Sequence, residues 1–72
     1  MFTNELFEAL YEKYSAQQKI AKTNLRLYIT NPVAVADHPD MVATFDKLFK
    51  KYVEATENIK RLRELDYEFT SE

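Results

Sequence analysis

Two long antiparallel helices joined as a hairpin, an all-α fold, are what this sequence predicts, and three observations predict it. Apolar residues recur at alternating three- and four-residue spacing through two long stretches. The chain contains no glycine. Both of its prolines fall in one break, Asn31-Pro32-Val33-Ala34-Val35-Ala36-Asp37-His38-Pro39-Asp40, between the two periodic stretches.

The first helix is expected over about residues 4–30. Thr3 or Asn4 can cap it, and Glu5 and Glu8 meet the positive end of the helix dipole. Asn31 precedes Pro32, and a residue before proline is pushed out of the α region, so the helix stops without a glycine. The connector, residues 31–38, carries Val33 and Val35, too apolar for a free linker. Asp37 or His38 then caps a second helix over about 39–66, with Pro39 in the first turn, where its missing N–H is harmless. Residues 67–72 read as an acidic and aromatic tail that frays. A single domain, residues 1–72, follows from the length.

Phe7, Tyr11, Tyr14, Gln18, Ala21, Leu25 and Tyr28 form one face of the first helix, and Met41, Phe45, Leu48, Tyr52, Ala55, Ile59 and Leu62 form one face of the second. Folding about the connector sets Ala21 near Leu48 and Tyr14 near Ala55, large against small. The ten aromatic residues read better as bundle core than as a ligand-stacking box, because their spacing is regular. The apolar arcs cover about half of each helix's circumference, whereas a two-helix contact needs a narrower seam. A chain of 72 residues without cysteine and with one histidine has no disulfide, and hardly a metal, to help it. A four-helix-bundle homodimer is therefore expected, with Tyr14, Gln17, Ile20, Asn24, Leu27, Phe45, Phe49 and Tyr52 at the oligomer interface. Gln17, Gln18 and Asn24 interrupt the apolar face where a polar group fixes register, and Tyr52 stands at a height to bond Gln17 or Gln18. The alternative is that they face a ligand.

Charge is unevenly placed. The net charge is -2, but the connector-proximal half carries +4 and the terminal segments -6. Lys19, Lys22, Arg26, Lys47, Lys50 and Lys51 form a candidate surface for an anionic partner. The plainer reading is a solvated face, with Glu5 and Glu8 opposite Lys60, Arg61 and Arg63 across the helix pair. His38 between Asp37 and Pro39 suits a cap better than a metal site. No nucleophile and base pairing is identifiable, so neither catalytic residues nor a cofactor are expected.

The connector, preceded by Asn24-Leu25-Arg26-Leu27-Tyr28-Ile29 and followed by an amphipathic helix, resembles that of small helical-hairpin proteins of tailed bacteriophages. The likeness covers the central half of the chain, and this sequence has alanines where those proteins often have glycines. It implies a phage-encoded hairpin and brings no activity or site residues.

The function expected from these readings is non-enzymatic: a small interaction or regulatory protein, a phage accessory factor acting on a host protein through a homo-oligomeric bundle. One alternative is an oligomeric module that sequesters an anionic small molecule such as a nucleotide, and another is a nucleic-acid-associated protein. Met1-Phe2-Thr3-Asn4-Glu5 has neither the basic flank nor the apolar run of a secretion signal, and charges recur too often for a membrane span. A soluble protein of the cytoplasm, the host's if phage-encoded, is expected.

Overall fold

Each helix begins at a short polar side chain that turns back onto its first free N–H groups. At the first, the Asn4 Oδ1 accepts from the Leu6 N–H at 2.7 Å and the Asn4 carbonyl from the Glu8 N–H at 3.0 Å. At the second, the Asp40 Oδ1 accepts from the Ala43 N–H at 3.0 Å. The structure, a computed structural model, describes residues 2, 4–30 and 40–71. Helix α1 is Glu5–Thr30 and helix α2 is Met41–Ser71.

Two boundaries differ from the sequence reading. Asp40 caps α2, because its carboxylate reaches an N–H three residues on, and the expected caps, Asp37 or His38, lie outside the described residues. The C-terminal segment is helical to Ser71 rather than a frayed tail after Asp66. One contact across the helix pair and one bond within α2 explain that extension: Phe69 stacks on Phe7 with ring centroids 5.9 Å apart, and the Thr70 hydroxyl bonds the Asp66 carbonyl one turn back at 3.0 Å. The expected connector, 31–38, lies outside the described residues.

The helices run antiparallel, as their cross-links show. Tyr28 and Phe45 meet at the connector end, with centroids 6.4 Å apart. Gln18 reaches Thr56 at mid-length, and Tyr11 reaches Arg63 further on. All seven residues of the expected α1 face are buried or half-buried, and so are those of the α2 face except Met41 at its start.

The expected register is not the one adopted. Ala21 borders the same groove as Ala55, two turns beyond Leu48, and Gln18 bonds Thr56 rather than Tyr52. Small side chains on both helices let the backbones approach, and Ala21 and Ala55 are accordingly the most buried positions of the middle section. Little else is fully buried: Leu62 is the third buried apolar residue.

The result is a rod of 53 × 15 × 14 Å with a radius of gyration of 16.1 Å, where a compact chain of this length has about 11 Å. Its accessible surface is 5766 Å² for 8.5 kDa, against about 4,700 Å² for a folded monomer of that mass. No described helix is long and apolar enough to cross a membrane.

Candidate interaction surfaces

The two broad faces of the hairpin can be told apart by what borders them. On one, Gln17, Ile20, Ala21 and Asn24 of α1 face Lys51, Glu54 and Ala55 of α2 across an open groove of about 330 Å³. On the other, Tyr11, Ser15 and Gln18 face Thr56, Ile59, Lys60, Arg63 and Glu64 across a groove of about 480 Å³.

The second groove is the more polar in its bonding. Gln18 Nε2 donates to Thr56 Oγ1 at 3.0 Å. Arg63 Nη2 donates to the Tyr11 hydroxyl at 2.9 Å, and the guanidinium carbon stands 5.2 Å from the same ring's centroid. Phe2 covers Tyr11 from the N-terminal side, with centroids 5.0 Å apart and planes tilted by 44°. Thus Gln18, expected to act as a polar group on the seam, does cross it, whereas Gln17 and Asn24 are exposed and edge the opposite groove.

The eight expected interface residues do not share a face. Tyr14, Phe45 and Tyr52 are half-buried in the hairpin itself. Ile20 and Leu27 are exposed at 62% and 59%, on the Gln17 and Asn24 side. Phe49, exposed at 48%, lies two turns before Thr56 and therefore on the Gln18 side of α2. Val53 shares a shallow depression with it. The hairpin thus carries two separate apolar stripes, one on each helix, facing opposite ways.

The six basic residues are divided in the same manner. Lys51 edges the groove with Gln17, whereas Lys22 follows Ser15 by seven residues and stands on the other side. Lys50 Nζ pairs with Asp46 at 3.1 Å, an exposed contact of little energetic weight. The expected facing of Glu5 and Glu8 with basic residues of the second helix also gives way. Arg61 is held within α2 by Glu57 at 3.2 Å and Glu64 at 3.0 Å, and Arg63 turns to Tyr11. The hydrogen bond and charge of Glu64, then the charge of Glu57, raise the Arg61 pKa. Hydrogen bonding between neighbours one turn away outcompetes the longer reach across the pair.

Among the described residues, no group of three or more His, Cys, Asp or Glu side chains is placed to hold a metal. The His38 turn lies outside them. The patterns that sequence reasoning missed are the polar cluster of Tyr11, Gln18, Thr56 and Arg63, and the splitting of the apolar surface. Both depend on register, which the heptad spacing alone leaves free. No protein-family model, curated protein or solved structure matches this chain.

Proposed function

We propose that this chain is a non-enzymatic helical interaction protein whose working form is a homo-oligomer, with a dimer favoured. The supporting observation is its surface: about 1,100 Å² beyond that of a folded monomer of the same mass, with Ile20, Leu27, Phe49 and Val53 all exposed. A stable protein interface covers roughly 800 Å² on each partner, so the excess is of the size one association removes. In this reading the chain is a phage accessory factor in the host cytoplasm, and the stripe left free after self-association engages a host protein.

The test is affinity capture from the host with the parent protein and with a Phe49→Ser, Val53→Ser variant. Loss of one specific host protein, with the oligomer retained, supports the reading. An unchanged capture pattern contradicts the assignment of that stripe.

A second reading draws on the groove at Tyr11, Ser15, Gln18, Thr56, Lys60 and Arg63. Two cations and several neutral donors line it beside one carboxylate, Glu64, which Arg61 pairs at 3.0 Å, a composition that suits an anionic small molecule such as a nucleotide. A saturable melting shift with ATP, abolished by Arg63→Gln, would favour it. A nucleic-acid role draws less support, because the six basic residues are divided between two faces.

A further inference from the structure

Helix α1 carries a second heptad seam that the hairpin leaves uncovered. The internal seam runs through Phe7, Tyr14, Ala21 and Tyr28. One step back along the helix, Leu6, Ile20 and Leu27 repeat at sevenfold spacing with Lys13 between them, and Ala9, Ala16 and Thr23 fill the alternate positions. Every one of these is exposed. Bordering the seam on its outer side, Glu5, Glu12, Lys19 and Arg26 also repeat every seven residues and are likewise exposed.

We infer that this seam binds α1 of a second copy of the chain, antiparallel, about a two-fold axis near residue 15. The inference rests on the self-association proposed above and names its surface and register. Charge order carries it. Two acidic border residues precede two basic ones, so reversing the direction of the second copy sets Glu5 against Arg26 and Glu12 against Lys19, each pair formed twice.

Side-chain size agrees. In the same register Ala9 faces Ile20, Leu6 faces Thr23, and the Lys13 stem lies over Ala16, small against large in each of these three layers. A parallel pairing would set Glu5, Glu12 and Lys19 opposite uncharged Leu10, Gln17 and Asn24. Sliding the antiparallel pair by one heptad would bring Lys19 against its own copy and leave Glu5 without a partner. The internal and outer seams stand about 100° apart around α1, as a four-helix bundle requires of a helix with two neighbours.

The experiment is a charge swap read by sedimentation equilibrium at low salt, with circular dichroism as the check on helicity. Both positions are exposed, so the hairpin itself is expected to stay folded. Glu12→Lys alone and Lys19→Glu alone should each weaken the dimer roughly ten-fold, since two favourable pairs become two repulsive ones. The double variant should recover parental affinity, whereas the register slid by one heptad would set the new lysine at 12 against Arg26 and give no recovery. Phe49→Ser, on the opposite face, should leave the dimer unchanged. A parent that dimerises while the single variants have no effect, or while the double variant fails to recover, overturns the seam and its register but leaves self-association standing. A parent that is monomeric throughout overturns both.

Discussion

Gln18 donates from Nε2 to the Thr56 hydroxyl at 3.0 Å, joining residues 38 positions apart in the chain near the middle of the rod. A half-buried bond of this kind contributes about 1 kcal/mol when both groups retain some access to water. It also tells the two helices where to stop sliding, since apolar seams of heptad spacing accept shifts of one or two turns.

Thr56→Val keeps the shape and removes the acceptor. It is expected to lower stability by about 1 kcal/mol, measured by urea unfolding of the hairpin, with helicity unchanged. A neutral result would mean that water replaces the bond at no loss and that register is set elsewhere.

Ala21 and Ala55 mark where small side chains on both helices are buried, at 6% and 3% exposure. Ala55→Leu should destabilise by about 1 to 3 kcal/mol, because the added atoms must displace α1 or take strained rotamers. The sequence reading, which set Ala55 against Tyr14, had the right residue in the core with the wrong neighbour. Thermal denaturation of this variant beside Ala9→Leu separates the two seams: Ala9 is exposed and the hairpin should tolerate the change.

The caps provide a local test. Asp40→Ala should cost about 1 kcal/mol by removing the bond to the Ala43 N–H and a carboxylate at the dipole's positive end. Asp37→Ala should have a smaller effect. Hydrogen exchange in the first turn of α2 would report it, and equal effects from the two substitutions would contradict the assignment of Asp40 as cap.

These cases show which parts of the fold were legible. Both helices, the start at Asn4 and the end at Thr30 follow from local chemistry: periodicity, a capping side chain and a proline. The start of the second helix was ambiguous because Asp37, His38 and Asp40 all offer caps within one turn. Its end was missed because nothing local to Tyr67 and Phe69 stops or extends a helix. Phe7, 62 residues away, supplies the contact. The candidate surfaces suffered most, since the side to which Phe49 or Lys51 points relative to Ile20 depends on how the two helices meet.

Replacing Gln17 and Asn24 together by leucine is expected to raise the melting temperature while admitting further oligomeric states. Both are exposed beside the outer seam of α1 and would extend its apolar surface. Size-exclusion chromatography with light scattering would show the added species. A lower melting temperature with a single species would mean that the two polar side chains make bonds the assembly needs.

The central claim is that one hairpin leaves too much apolar surface uncovered to work alone, and sedimentation equilibrium of the parent protein over a range of micromolar concentrations tests it most directly. The expected mass rises with concentration toward twice the 8.5 kDa of the chain, with association weakened by salt. A constant 8.5 kDa at every concentration, together with cooperative unfolding of that monomer, would contradict the claim.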